Sequence, residues 1–150
     1  MRLSEVRIKN YRLLIDAKLD VDAKTTLIVG RNNTAKTSCS SCINTVLQGS
    51  DFSYNDYPLS KREGLHNLFL QFMEKKLSYE DLCKKIETIS IEFLVDYSLD
   101  DPDAKLGALS PFIIDVDVDT TTALICVEYQ LKTDENKLRE LFKDSCYSEG

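Results

Sequence analysis

The sequence predicts a mixed α/β fold in which helices pack on an antiparallel sheet. Three observations carry that expectation. Residues 89–97 alternate Ile89, Ile91, Phe93, Val95 and Tyr97 with Ser90, Glu92, Leu94 and Asp96, the pattern of a strand with one buried face. Residues 65–77 repeat Leu65, Leu68, Phe69, Phe72, Met73 and Leu77 at helical spacing. Thr25 to Val29 is a short, nearly all-apolar run that suits the buried centre of a sheet.

The elements follow in order. Leu3, Val6 and Ile8 among charged neighbours predict a strand over 2–9, broken by Asn10-Tyr11-Arg12. A second extended stretch covers 14–21, with Leu14, Ala17, Leu19 and Val21 apolar, and Asp22-Ala23-Lys24 reads as a turn. The 25–29 strand is followed by a loop and by a helix from Lys36 to Leu47, stopped by Gly49. Residues 50–63 are polar and turn-rich, with Pro58 inside. After the 65–77 helix, Ser78 with Asp81 three residues on marks a new helix start, with Tyr79, Leu82, Cys83 and Ile86 on one face. Leu99 to Ser110 reads as a loop. Thr120 to Leu131 reads as a strand presenting Ala123, Ile125, Val127, Tyr129 and Leu131 on one face. A last helix from about Asp134 is expected to bury Leu138, Leu141 and Phe142.

With 150 residues, 43% hydrophobic and 29% charged, the chain has the size and composition of one soluble globular domain. No apolar run reaches the length of a membrane span, and Met1-Arg2-Leu3-Ser4-Glu5 lacks the apolar stretch of a signal peptide, so a cytoplasmic location is expected. Five cysteines with no disulfide framework read as free thiols; Cys39-Ser40-Ser41-Cys42 lies inside a helix without a second Cys/His pair at zinc spacing. The net charge of −6 is uneven: residues 1–50 hold eight Lys/Arg against four Asp/Glu, residues 51–150 eleven against twenty-one. An acidic chain is not a general nucleic-acid binder, and its basic first third is where an anion would bind.

That third contains Gly30-Arg31-Asn32-Asn33-Thr34-Ala35-Lys36-Thr37-Ser38, between a strand pattern and a helix pattern. Gly30, Lys36 and Thr37 sit at the offsets of a phosphate-binding P-loop, in which backbone N–H groups and a helix N-terminus face an anion. Lysine supplies a point charge to the β- and γ-phosphates, and the Thr37 hydroxyl is placed to ligate Mg²⁺. Ala35 stands where the pattern has glycine. A methyl group is the smallest addition and is tolerated there if φ is negative, so a weakened or reshaped loop is expected.

Ile8-Lys9-Asn10-Tyr11-Arg12, followed after a second strand by the loop, resembles the opening of the ABC-type ATPase heads of RecF/SMC-like proteins. The double asparagine is most similar to the OLD (overcoming lysogenization defect) family of ATP-dependent nucleases and their anti-phage relatives. That family opens with I-K-N-F-R and continues to G-x-N-N-S-G-K-[ST]-S. Tyr11, Thr34 and Ala35 depart from it, and the resemblance covers about the first forty residues. It implies ATP and Mg²⁺ at Asn32 to Ser38, with Arg12 beside the nucleotide.

The rest of a hydrolytic site is not legible. His66, the single histidine, falls on a helix and reads as a solvated or packed residue. Phe112-Ile113-Ile114-Asp115 is followed by Val116 where a Walker B motif has glutamate, and Asp115, Asp117 and Asp119 lack the glycine and glutamate of a calcium loop. The nuclease half of an OLD protein is not recognisable. The reading is a single N-terminal ATPase lobe (P-loop region 1–49, helical segment 60–87, strands and terminal helix 88–146), the first part of a longer protein. It is expected to bind ATP weakly or incompletely and to hydrolyse little. Its partners would be the rest of the chain or a second head, with ATP-driven head dimerisation gating a DNA nuclease. The alternative is non-enzymatic: a degenerate P-loop domain serving as a protein-interaction scaffold.

Overall fold

Alternation along two strands decides which face of the sheet is buried. The structure, a computed structural model, describes residues 2–31, 35–97 and 121–146, with side chains up to 141 in the last stretch. β1 (Arg2–Tyr11) and β2 (Leu14–Asp20) form a hairpin, and β3 (Ile89–Asp96) and β4 (Thr122–Tyr129) complete an antiparallel sheet in the order β2-β1-β3-β4. Val6 pairs with Phe93 and Ile8 with Ile91, so four buried side chains share one face. The opposite face carries charge across the same ladders. Arg7 reaches Asp16 at 2.7 Å, Lys9 reaches Glu92 at 2.9 Å and Lys18 reaches Glu5 at 2.6 Å. A one-residue slip would exchange these faces, so burial and charge enforce the same register. Beside the irregularity between Leu3 and Glu5, Ser4 Oγ donates to the Leu94 carbonyl at 3.0 Å.

α1 (Lys36–Leu47) covers the apolar face, with Cys42 fully buried among the sheet residues and Cys39, Ile43 and Val46 packed around it. α2 (Leu59–Met73), α3 (Tyr79–Lys85) and α4 (Glu135–Cys146) form a separate helical cluster on Phe72, Leu77, Leu82 and Leu138. Ser78 caps α3, its Oγ accepting the Asp81 N–H at 3.1 Å, as the Ser78/Asp81 spacing predicted. Asp134 does the same for α4, accepting the Lys137 N–H at 2.8 Å. Arg139 then anchors α4 by laying its guanidinium over the Phe72 ring, 4.0 Å from the centroid.

The mixed α/β class and the four antiparallel strands match expectation, and three elements differ. α2 starts at Leu59, six residues earlier than the apolar spacing indicates. Pro58 presets the entry to the first turn, and the polar run Ser60 to Gly64 hides that turn from a periodicity reading. Leu141, expected in the core, is 52% exposed, while Leu138 of the same face is buried in the helical cluster; the Phe142 side chain, also expected there, lies outside the described ones. The third difference touches the site. Residues 25–29 join no ladder of the described sheet, and Leu27 and Val29 are 80% and 77% exposed. Consecutive apolar residues need cover on both faces, and the described sheet, ending at β2 and β4 with α1 on one side, supplies neither. The turn before them is present: Asp22 Oδ1 accepts the Lys24 N–H at 3.1 Å, and Thr26 Oγ1 accepts the Asp22 N–H at 2.8 Å.

Candidate phosphate site at the start of α1

Ala35 is the residue before the first turn of α1, and its backbone is left-handed, with φ 64° and ψ 10°. The condition under which a methyl group is tolerated there, a negative φ, is not met. The position demands the conformation that glycine takes freely, which explains the glycine of the pattern and makes alanine a strained occupant. The helix starts there nonetheless, with the Cys39 N–H donating to the Ala35 carbonyl at 2.9 Å. Lys36 turns back over the loop, and its Nζ donates to the carbonyls of Gly30 and Arg31, the latter at 2.6 Å. Thr37 is exposed, whereas Ser38 is buried. Asn32, Asn33 and Thr34 lie outside the described residues.

The electrostatics of this end favour an anion. The N-terminus of α1 carries the positive end of the helix dipole, and its first turn holds no acidic side chain to compete. Lys36 adds a full charge on the same side. Gly30, Arg31, Ala35, Lys36, Thr37 and Ser38 therefore converge on one helix start. The set fits a phosphate group, and the Thr37 hydroxyl is free of the core to meet a magnesium ion. Bound there, the metal would neutralise phosphate charge.

Arg12 is engaged by Asp56. It follows Asn10 and Tyr11 in a knot where Asn10 and Arg12 both have positive φ, 58° and 51°. The buried Asn10 side chain donates to the Thr88 carbonyl at 2.9 Å and accepts from Lys61 at 2.8 Å. Tyr11, 1% exposed, shares a hydrogen bond of 3.1 Å with Ser41 of α1 and packs its ring on Phe52. Arg12 donates to Asp56 from its backbone at 2.7 Å and from its side chain at 2.8 Å. The Asn10-Tyr11-Arg12 triplet thus ties the hairpin to α1, to the 53–56 turn, to α2 and to the start of β3.

Asp56 and Ser41 escaped the sequence reading. Ser53 followed three residues later by Asp56 is a capping-box spacing and was the available signal. The Asp56 carboxylate accepts both the Ser53 N–H at 2.9 Å and its hydroxyl at 3.0 Å. Burial pushes this carboxyl up, but the Ser53 and Arg12 hydrogen bonds outweigh it and hold it below the usual carboxylate range.

The thiols of α1 are not reactive centres. Burial pushes the Cys42 thiol up to about 12, with Cys39 adding to the effect. No group of three potential metal ligands occurs among the described residues. Phe112 to Val116 and the acidic run Asp115, Asp117 and Asp119 lie outside them. No described helix is long and apolar enough to cross a membrane.

The model of the AAA ATPase domain family matches residues 1–147, including the whole loop from Gly30 to Ser38. The chain belongs to the AAA ATPase domain family. No curated protein and no solved structure matches the chain. Membership in an ATPase domain family makes nucleotide binding the function of the domain, with Mg²⁺ as the usual companion of the nucleotide. The helix start described above lies within the matched residues.

Proposed function

We propose that this chain is the nucleotide-binding lobe of an OLD/RecF-like ATPase and that ATP binds with its phosphates on Gly30 to Ser38. The observation that carries the proposal is the Lys36 ammonium folded over the Gly30 and Arg31 carbonyls at the start of α1. That keeps a full positive charge on a loop whose flanking residue, Ala35, holds a left-handed backbone at the position where the pattern has glycine. Lys36 would meet the terminal phosphates and Thr37 the Mg²⁺. By resemblance, Arg12 would come close to the nucleotide only after leaving Asp56. In a longer protein, ATP-driven pairing of two such heads would gate a DNA nuclease or repair activity, in the cytoplasm. The exposed Leu27 and Val29 support an incomplete lobe, since such a strand belongs inside a larger sheet.

The second reading is a scaffold that has lost turnover. It is favoured by the strain at Ala35. Calorimetric titration of Mg-ATP into the chain and into Lys36→Ala separates the two. Saturable heat that Lys36→Ala abolishes supports the phosphate site. No heat from the parent chain, or equal heat from both proteins, removes it.

A further inference from the structure

A second concavity lies away from the phosphate loop. A cleft of about 490 Å³ opens between the 52–57 segment, α2 and the paired ends of β3 and β4. Five phenylalanine and tyrosine rings wall it: Phe52, Tyr54, Tyr57, Phe69 and Tyr129. Two of these are held in a fixed mutual tilt. Phe52 meets Tyr129 edge-on, with centroids 4.7 Å apart at 63°, and the Tyr129 hydroxyl is tied to Asp51 Oδ1 at 2.5 Å and to the Ser50 carbonyl at 3.2 Å. Such a wall presents both a ring face and a ring edge, so a further ring entering the cleft gains quadrupolar contact beyond its buried area, whereas an aliphatic chain gains area alone.

Charge narrows the occupant. Among the described residues no lysine or arginine lines the cleft; its carboxylate Glu87 is held by Lys61, and Arg62 lies over the outer Tyr54 ring, 4.8 Å from its centroid. A phosphate or carboxylate ligand inside the cleft would therefore lose its hydration with no counter-charge among those lining residues. Polar groups are present: the exposed His66 on α2 and the Gln130 amide at the end of β4. The volume lies within the range of small-molecule sites, where apolar walls give affinity and a few polar groups give orientation. None of the described residues lining the cleft belongs to the Gly30–Ser38 loop or to α1. The two sites thus share no residue.

We propose that this cleft is a binding site for a flat, uncharged heteroaromatic molecule of one or two rings, of the nucleobase or nucleoside type. The ring stacks against the Phe52 and Tyr129 wall, and its polar edge meets His66 and Gln130.

The test titrates adenosine and AMP into the chain, read by calorimetry and by saturation-transfer NMR. Adenosine is expected to bind saturably at about millimolar concentration or tighter, and AMP several-fold more weakly. Lys36→Ala should leave adenosine binding unchanged. Leu65→Trp, which fills the cleft from α2, should weaken it at least tenfold. If that variant fails to fold, His66→Ala and Gln130→Ala decide, each expected to weaken adenosine several-fold at unchanged melting temperature. Absence of saturable adenosine binding overturns the proposal, as does unchanged affinity in the cleft variants. AMP binding tighter than adenosine and lost with Lys36→Ala also overturns it, by assigning the ligand to the phosphate loop.

Discussion

Arg12 grips Asp56 twice, with its backbone N–H on the Asp56 carbonyl at 2.7 Å and its guanidinium on the carboxylate at 2.8 Å. The same carboxylate caps the 53–56 turn through Ser53. Removing the carboxylate ends both functions at once, so Asp56→Ala is expected to destabilise the domain by about 1–2 kcal/mol, mostly through the lost cap. Arg12→Ala should cost less, since its side chain is 43% exposed and such pairs are screened. A double-mutant cycle by urea denaturation measures the share that belongs to the pair. Equal and additive losses would show that the two residues act independently.

Acid should find this carboxylate. Its folded pKa is depressed relative to the unfolded chain, so it stabilises the fold above the unfolded value of about 3.9 and loses that contribution as pH falls through the lower folded value. Asp56→Asn is therefore expected to flatten the fall of melting temperature below about pH 4. Identical acid profiles for parent and variant would place the acid sensitivity elsewhere.

Ala35→Gly should stabilise the protein. A left-handed alanine carries about 1–2 kcal/mol of strain, and the greater freedom of glycine in the unfolded chain takes back about 0.4–1 kcal/mol. A net gain of roughly 0.5–1 kcal/mol is expected, seen as a higher melting temperature, with Mg-ATP affinity kept or raised. A fall in melting temperature would mean that the left-handed backbone is not strained at this site.

The Tyr11 hydroxyl and ring are separable. Tyr11→Phe removes only the bond to Ser41 and is expected to cost about 1 kcal/mol. Tyr11→Ala empties a fully buried site against Phe52 and should cost about 3–5 kcal/mol. Both are read from denaturant midpoints at unchanged slope. Equal losses in the two variants would assign the whole effect to the hydroxyl.

The cysteines divide by burial. Cys83 and Cys126 are exposed, whereas Cys42 is fully buried with its thiol pushed up to about 12. Brief alkylation of the native protein at pH 8, read by peptide mass spectrometry, should modify Cys83 and Cys126 first and leave Cys42 to the denatured state. Early labelling of Cys42 would contradict the packing of α1 on the sheet.

Patterns that repeat within one element were readable from the chain alone. The alternation along β3 and the Ser78/Asp81 start of α3 both report the side-chain direction of neighbouring residues, a local property. The boundaries of α1 were legible for the same reason: a lysine-threonine start and Gly49 just past the end. Pairings between elements were not. Nothing local says that Arg12 faces Asp56 or that Tyr11 reaches Ser41, because those partners meet only when the hairpin, the 53–56 turn and α1 close on one core. The same holds at the phosphate loop. Composition and spacing alone brought Gly30, Lys36 and Thr37 into one loop before one helix. Only the tertiary structure decided that Ala35 is left-handed, that Lys36 lies on the Gly30 and Arg31 carbonyls, and that the apolar run at 25–29 stands outside the described sheet. A backbone dihedral and a strand's neighbours are set by the surfaces the chain has available to pack against, and an isolated sequence window carries no record of them.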